Sequence, residues 1–238
     1  MISFKGRHTP QAVILQCVRW YCAYALSYRN IEKMMAERGL TIDHSTLNRW
    51  MIKYAPQLEK AFHQKKKCPG NRWRLDETYL KVKGQWKYYY RAVDKQGNTI
   101  DFLLSAKRDT KAALRYLTKA IGRNIKPGLI PQGTLSAFGI HLVNIDKSGA
   151  NTAGIKQFNL DNNRRIKIRQ CKYLNNIIEQ DHRRVKRLTR PMLGFKCFNS
   201  ARSTLVGIEL MAMLKKSQMK KNLAGTLSPA EQFYALAG

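Results

Sequence analysis

The chain has 238 residues, with 44 Lys or Arg against 15 Asp or Glu, so its formal net charge is +29 at pH 7. A positive field of this size favours a polyanionic partner, and nucleic acid is favoured over an anionic membrane surface. The absence of any run of about 18 apolar residues excludes a helix that spans a bilayer, and the first residues lack a signal-peptide core. Hydrophobic residues make up 44% of the chain, which is enough for one large domain or two smaller ones.

The cysteines are scattered and odd in number, and none belongs to a Cys-x-x-Cys pair. They are Cys17, Cys22, Cys68, Cys171 and Cys197. Neither a zinc knuckle nor a disulfide framework is therefore expected. This usage predicts a reducing, cytoplasmic setting.

The N-terminal part of the chain is predicted to be all-helical. Ser27 caps a second helix, Tyr28–Arg38, and Gly39 ends it in the left-handed conformation that often follows a helix. Asp43 then caps a third helix that starts at His44. A short helix, a tight turn with glycine and a second capped helix predict a helix-turn-helix.

The third helix would be the recognition helix of a DNA-binding domain that spans residues 1–64. The first residues of such a helix meet base edges in the major groove. The predicted DNA contacts are His44, Ser45, Thr46, Asn48 and Arg49 at base edges and Lys53 at the backbone. The alternative is a plain helical bundle whose polar residues face water, but the net charge favours DNA binding.

The spacing of the hydrophobic residues changes from a helical to a strand-like pattern after the helical part of the chain. Pro56 marks an edge of the helical pattern, and residues 65–71 form a basic linker rich in chain-breaking residues. Three segments rich in aromatic and β-branched residues then predict the strands of a meander. These are Trp73–Val82, Trp86–Val93 and Thr99–Ser105.

Helices and further strands follow the meander. A helix is predicted from Asp109 to Ile121, and the Pro- and Gly-containing residues 122–139 predict a loop. A short apolar strand, His141–Asp146, ends in an acid, and the alternation in residues 164–169 predicts an edge strand, with a helix between the two.

The segment Lys172–Leu188 predicts an amphipathic helix that Asn175 or Asn176 caps and Pro191 stops. Its apolar stripe contains Leu174, Ile177, Ile178, Val185 and Leu188, and its polar stripe contains Glu179, His182, Arg183 and Lys186. Alone, this pattern is more typical of an ordinary surface helix in which Glu179 pairs with Arg183.

Together these elements predict an α/β domain on a mixed sheet, over residues 72–198. A last long helix, Asn199–Gln218, belongs to a C-terminal segment, residues 199–238, that packs on this core.

Three carboxylates carry the predicted chemistry. Asp76 lies within the first strand, Asp146 ends the fourth, and Glu179 lies near the start of the later helix. If the first and fourth strands are neighbours, the aspartates meet and the helix can pack across them. Carboxylates brought together repel one another unless a cation joins them, and oxygen ligands favour Mg²⁺ or Mn²⁺. Two such ions would clamp the attacking and leaving oxygens of a phosphodiester.

Each acid has an ordinary alternative. Asp76 could be an exposed strand residue, and Glu77 is the rival ligand because neighbouring strand residues face opposite sides. Asp146 could simply cap the segment after it. The three acids together, on this order of strands and helices, indicate a metal site much more strongly than any one of them alone.

Long motifs in the chain are similar to those of a known family. They are Phe4–His8, Tyr28-Arg29, Asp43–Thr46, Asp76–Tyr79, Trp86, Tyr90–Asp94, Asp146-Lys147, Lys172–His182, Pro191–Lys196 and Ala230–Tyr234. On these residues the chain resembles the DDE transposases of bacterial insertion sequences, specifically the insertion-sequence-six family, over nearly its whole length.

The resemblance implies a ribonuclease-H-like mixed-sheet catalytic core preceded by an all-α helix-turn-helix domain. It implies that Asp76, Asp146 and Glu179 are the catalytic and metal-binding triad, with two Mg²⁺ or Mn²⁺ ions as cofactors. Arg183 and Lys186 are predicted to track DNA phosphates. The resemblance also implies a protein that acts in the bacterial cytoplasm, at the nucleoid. It would act as a homo-oligomer on double-stranded DNA, at the element ends and at the target.

Two other functions remain as alternatives to a transposase. A non-enzymatic regulator would use the helix-turn-helix alone, without metal-dependent strand transfer. A ribonuclease-H-like nuclease or resolvase would cut branched or hybrid substrates without preferring one terminal repeat.

Overall fold

A computed structural model describes residues 2–6, 8–124, 140–220 and 226–238. The helices are α1 (Gln11–Ala23), α2 (Tyr28–Ala36), α3 (His44–Lys65), α4 (Thr110–Asn124), α5 (Gly149–Asp161), α6 (Asn176–Thr189), α7 (Phe198–Lys215) and α8 (Pro229–Tyr234). The strands are β1 (Arg72–Val82), β2 (Gln85–Asp94), β3 (Thr99–Ser105), β4 (Leu142–Ile145) and β5 (Lys167–Gln170). Within these ranges, no helix is both long enough and apolar enough to cross a membrane.

The chain divides into two compact units. The first contains Met1–Lys67, Lys81–Gln85 and Arg184–Gly238, and the second contains Cys68–Leu80 and Trp86–Arg183. The first unit is therefore helical apart from one hairpin tip, whereas the second holds most of the sheet.

The sheet has five strands in the order β3-β2-β1-β4-β5. β2 and β3 are antiparallel, whereas β4 is parallel to both β1 and β5. The turn between β1 and β2 has positive φ at Lys83 and Gly84, which suits the right-handed twist of a hairpin. This mixed sheet with its helices confirms the predicted ribonuclease-H-like α/β fold, including a meander and an edge strand at β5.

One face of the sheet packs against α4 and α5. Trp73 and Leu75 of β1 and Tyr90 of β2 are buried there with Tyr116 of α4. Gly154 of α5 lets the helices approach closely, because a Cβ at this position would lie 2.7 Å from the Cβ of Ala113. This packing holds α5, which begins at Gly149 shortly after β4, against the sheet.

The helical unit confirms the predicted caps. The Ser27 side chain accepts a hydrogen bond from the backbone N–H of Asn30, and the Asp43 side chain accepts one from Ser45. Gly39 has φ +73°, as expected for a residue that ends a helix.

The prediction that Pro56 marks an edge of the helical pattern is wrong, because α3 continues through it to Lys65. The buried face also continues, through Leu58 and Phe62, and α3 packs against α7. A proline inside a helix costs about 3 kcal/mol. Burial of the apolar side chains on the following turns offsets this cost.

The predicted amphipathic helix divides into two parts. A 3-10 turn, Lys172–Asn175, precedes α6. The Asn175 side chain is buried and accepts a hydrogen bond from Asn144 of β4, so it joins the helix start to the sheet. The loop predicted over residues 122–139 lies mostly outside the described residues, apart from the end of α4.

Candidate active site

Asp76, within β1, lies near Asp146, which directly follows β4, and the two strands are parallel neighbours. The paired residues of β1 and β4 run as far as Arg74 opposite Asn144, and Asp76 and Asp146 each follow two residues after that last pair. One carboxylate oxygen of each, together with one from Glu77, lies within 4.8 Å of the others. The expectation that the first and fourth strands lie side by side is therefore confirmed.

Asp76 and Glu77 occupy opposite faces of β1, as the alternation of a strand requires. The Nε2 atom of His182 on α6 lies 3.2 Å from Oδ2 of Asp76. Glu77 instead meets Arg108, which precedes α4, and Asn151, in the first turn of α5. Asp76 therefore faces the helix that carries Glu179, and Glu77 faces the helices on the other side.

Glu77 is held in a buried polar contact. Its side chain is only 2% exposed, and its carboxylate accepts a hydrogen bond of 2.6 Å from Arg108 Nε and one of 2.7 Å from Asn151 Nδ2. Burial raises the pKa of Glu77, although Asn151 and Arg108 oppose the rise. Burial lowers the pKa of Arg108, but its hydrogen bond and ion pair with Glu77 raise it overall.

Asp146 is the most accessible of the three acids. Its side chain is 43% exposed and lies 3.7 Å from the Nη2 atom of Arg108. Its other oxygen accepts a hydrogen bond from the backbone N–H of Ser148, the residue that caps α5. An open cleft of about 450 Å³ lies beside it, lined by Arg108, Asp146 and residues 147–150.

Glu179 lies in the first turn of α6 and is half-buried. Among the described residues, the acid cluster around Asp76 contains Glu77 and Asp146 but not Glu179. His182, one turn further along α6, contacts Asp76, and Asp181 forms an ion pair of 3.1 Å with the buried Arg91 of β2. These two contacts hold α6 against the face of the sheet that carries Asp76.

The predicted stripes of α6 need two corrections. His182 was expected on the polar stripe but is buried, because its ring contacts Asp76. Ile177 was expected on the apolar stripe but is 37% exposed. Arg183 and Lys186 are exposed, as expected for side chains that reach a phosphate.

The predicted base-reading residues lie at the start of α3. His44, Ser45 and Arg49 are exposed, and Arg49 donates a hydrogen bond to the Thr46 hydroxyl. Asn48 is half-buried, and its oxygen accepts hydrogen bonds from the side chains of Tyr28 and Ser200. A bidentate contact to adenine uses both ends of an amide, so at Asn48 it would compete with these bonds.

Lys53 and His44, the other predicted contacts on α3, have charged or aromatic neighbours. The Lys53 ammonium lies over the Tyr54 ring, 5.2 Å from its centroid, and Lys53 is exposed. His44 lies between the carboxylates of Glu32 and Asp43, at 3.4 and 3.3 Å. Acids at this position would repel a DNA phosphate.

The donor set around Asp76 suits a divalent cation. Carboxylate oxygens are the ligands that Mg²⁺ and Mn²⁺ prefer, and the exposed Asp146 leaves the cluster open to a substrate. The hydrogen bond from His182 to Asp76 is the kind of outer contact that orients a metal ligand.

Sequence reasoning missed Arg108, Asn151 and the role of His182. Arg108 and Asn151 lie 31 and 74 residues from Glu77, so no local spacing could have paired them. His182 does carry a local signal, because it lies three residues after Glu179 on the helix.

Comparison with known proteins identifies the family of the chain. A family model described as a DDE domain matches residues 70–218, and one described as the transposase IS66 family matches residues 8–130. The transposase for insertion sequence-like element IS431mec of Staphylococcus aureus is 36% identical over 234 residues, covering 98% of this chain and 97% of that protein.

The chain belongs to the DDE transposase family.

This transposase is also 36% identical, over 98% of its length, to the transposase for insertion sequence element IS257 in transposon Tn4003 of Staphylococcus aureus. Among solved structures it matches the HTLV-2 integrase catalytic core domain in complex with magnesium. That match has a TM-score of 0.43 and 13% identity, covering 60% of this chain and 85% of that one.

Proposed function

We propose that this DDE transposase binds the terminal inverted repeats of its insertion sequence, cuts the DNA strand there and joins the 3′ end to a target. The observation that carries the proposal is the meeting of Asp76 and Asp146 on neighbouring parallel strands, within 4.8 Å through one oxygen each. In a DDE transposase these acids, with Glu179, are the natural ligands of divalent metal, Mg²⁺ or Mn²⁺.

The chemistry consists of two related displacements at phosphorus. In cleavage, a water oxygen forms a bond to phosphorus, the P–O3′ bond breaks, and a 3′-hydroxyl is released. In joining, that 3′-hydroxyl attacks a target phosphodiester and a target 3′-oxygen leaves. Two metal ions, when bound, would activate the attacking oxygen and stabilise the leaving one.

The residues of the chain prepare the site for both steps. His182 engages one oxygen of Asp76, which limits rotation of the carboxylate. Arg108 supplies positive charge between Glu77 and Asp146 and thereby reduces the repulsion between these acids. Arg183 and Lys186 lie on exposed positions of α6, where they support the DNA backbone without reading sequence.

The helix-turn-helix would supply the choice of DNA. Exposed residues at the start of α3 read the terminal repeat, with Arg49 as the principal contact to guanine. Because an element has two ends, the active form would be a homo-oligomer that holds both. We place it in the bacterial cytoplasm, at the nucleoid.

A strand-transfer assay tests the proposal. Purified protein is mixed with a duplex that carries the terminal repeat and a supercoiled target, with Mg²⁺, Mn²⁺, Ca²⁺ or chelator. The proposal is supported if joined product forms with Mg²⁺ or Mn²⁺ but not with Ca²⁺ or chelator. The product should also form with the terminal repeat but not with a scrambled duplex. Repeat binding without transfer would favour a regulator, and cutting of branched DNA regardless of the repeat would favour a nuclease.

A further inference from the structure

Arg108 lies in the segment between β3 and α4, where it reaches two acids that are distant in the chain. Its Nε atom donates a hydrogen bond of 2.6 Å to Oε1 of Glu77, and its Nη2 atom lies 3.7 Å from Oδ2 of Asp146. The second distance is too long for a hydrogen bond. Within the part of the chain that the structure describes, Arg108 therefore donates through Nε alone. The N–H groups on Nη1 and Nη2 are available to a ligand.

Glu77 holds this guanidinium in place. Its side chain is 2% exposed, and its second oxygen accepts a hydrogen bond of 2.7 Å from Nδ2 of Asn151. Asn151 is itself fully buried, in the first turn of α5. Because both oxygens of Glu77 are engaged by donors, the carboxylate has little freedom to turn away from Arg108. A side chain held in this way loses little entropy when it binds a ligand.

Arg108 also lines the open cleft beside Asp146. The cleft has a volume of about 450 Å³, and its other lining residues include the exposed Lys147. A water molecule takes up about 30 Å³ of the liquid, so the cleft has room for a phosphodiester. The Arg108 side chain is 33% exposed, which leaves it accessible to DNA. Two cations and one acid in the same cleft suit an anionic ligand.

We propose that Arg108 binds a non-bridging oxygen of the phosphate that is attacked, and that Glu77 and Asn151 hold Arg108 in position for this contact, which rests on the proposed function. A guanidinium fits the oxygens of a phosphate and keeps its charge throughout. Arg108 would form no covalent bond and transfer no proton. Its contact would stabilise the negative charge of the phosphate oxygens during displacement. Glu77 is then a positioning residue rather than a metal ligand.

The first measurement is the rate of single-turnover strand cleavage at saturating DNA with Mg²⁺. Arg108→Ala should lower this rate by about 100–1,000-fold, the usual effect of removing one donor to a developing charge. Arg108→Lys should restore part of the rate, because lysine keeps the charge but lacks the planar fork. Lys111→Ala removes an exposed positive charge from the first turn of α4 and should leave the rate unchanged.

The second measurement identifies the group that Arg108 contacts. Two DNA fragments carry the terminal repeat and extend across the cleavage point, and one of them has a neutral methylphosphonate at that point. Dissociation constants are measured with Ca²⁺ and without Mg²⁺ or Mn²⁺, so that binding is observed without turnover. Arg108→Ala should weaken binding of the normal fragment about tenfold and binding of the methylphosphonate fragment much less. Lys111→Ala should affect both fragments equally.

Glu77→Gln separates a positioning role from a metal-binding role. The amide fills the same space but attracts the guanidinium less strongly, so the maximal cleavage rate should fall about tenfold. The Mg²⁺ concentration that gives half the maximal rate should stay the same, whereas loss of a metal ligand would raise it. Asn151→Ala should have the same effects more weakly, because Glu77 keeps its charge. Thermal melting of every variant establishes that it is folded.

Three outcomes would overturn the proposal. They are a folded Arg108→Ala protein that cleaves at the parental rate, equal weakening of the two fragments by Arg108→Ala, and a Glu77→Gln protein whose only change is a higher Mg²⁺ requirement. If Arg108→Ala does not fold, Arg108→Gln takes its place in both measurements. If the parent binds the repeat without cleaving it, the proposed function fails, and the two fragments still decide whether Arg108 contacts the phosphate.

Discussion

The Nε2 atom of His182 lies 3.2 Å from the Oδ2 atom of Asp76, in a buried contact between α6 and β1. Next to it on α6, Asp181 pairs with the buried Arg91 of β2. Two consecutive side chains of one helix thus hold two neighbouring strands. The first turn of α6, with Glu179, is positioned over the sheet by these contacts.

If His182 orients Asp76 as a metal ligand, replacing His182 should impair the response of strand transfer to Mg²⁺ without unfolding the protein. His182→Ala is expected to raise the Mg²⁺ concentration that gives half-maximal strand transfer by about 10–100-fold, because the carboxylate loses its orienting hydrogen bond. Binding of the terminal repeat in Ca²⁺ should change little. Gln180→Ala, an exposed change on the same helix, is the control. An unchanged Mg²⁺ dependence would make the contact purely structural.

The triad itself is tested by substitutions that keep shape and remove charge. Asp76→Asn, Asp146→Asn and Glu179→Gln should each abolish strand transfer, because a neutral carboxamide is a much weaker ligand to Mg²⁺ than a carboxylate. Binding of the repeat should survive in all three, as measured by gel shift. Any variant that still transfers strands with Mg²⁺ or Mn²⁺ removes its residue from the site.

Glu77→Gln is the internal comparison for that series. Its carboxylate is already engaged by Arg108 and Asn151 on the far face of β1, so the loss of transfer should be milder than for Asp76→Asn. If Glu77→Gln is inactive and Asp76→Asn retains activity, the assignment of the metal ligand on β1 is off by one residue.

Arg49 is expected to read the terminal repeat. Arg49→Ala should lower affinity for the repeat far more than for random DNA, because a bidentate contact to guanine is worth ~1–3 kcal/mol of discrimination. Competition binding with the two DNAs measures the difference. Lys53→Ala is the matched control and should weaken both equally. An equal loss for Arg49→Ala would mean that it touches only phosphate, and no loss would make α3 a bundle helix.

Lys186 is expected to contact a phosphate rather than a base. Lys186→Ala should weaken binding equally for repeat and random DNA and reduce the salt slope by about 0.9, because one phosphate contact fewer releases less counterion. Strand transfer should fall with it. Affinity is measured across a salt series on a fragment that includes the cleavage point.

Lys156→Ala removes the same charge from an exposed position on α5 and should leave the slope unchanged. Equal salt slopes for Lys186→Ala and the parent, with normal strand transfer, would mean that Lys186 contacts no phosphate.

Gly207 permits the close approach of α7 to α1 and α3. A Cβ at this position would lie 2.3 Å from the Sγ atom of Cys22 and 3.2 Å from Cε of Met51. Gly207→Ala should therefore lower the free energy of unfolding by about 1–3 kcal/mol, the usual cost of overpacking. Urea denaturation measures it.

Two further variants qualify that result. Gly122→Ala, within α4 and with open space around its Cβ, should be neutral or stabilising by up to about 1 kcal/mol. Adding Cys22→Ala to Gly207→Ala should recover part of the loss, because the clashing sulfur is removed. Additive losses in the double variant would mean that the contact with Cys22 is not the cause.

The amino-acid sequence by itself determined the features that depend on neighbouring residues. Side-chain oxygens at Ser27 and Asp43 cap helices because they reach the backbone two or three residues on, and Gly39 ends one because it accepts a positive φ. The aromatic and β-branched residues of Thr99–Ser105 predicted β3 with its bounds correct. The order of these elements predicted that Asp76 and Asp146 would meet if the first and fourth strands were neighbours.

Only the tertiary structure decided which polar side chains are buried. His182 was predicted on the polar stripe of its helix and Glu77 as a rival metal ligand, yet each is buried against a partner from a distant part of the chain. A polar group leaves water only where another group replaces its hydrogen bonds, and such a partner lies outside any local window of sequence. Pro56, a local stop signal, is likewise overridden by a contact between distant parts of the chain, the packing of α3 on α7.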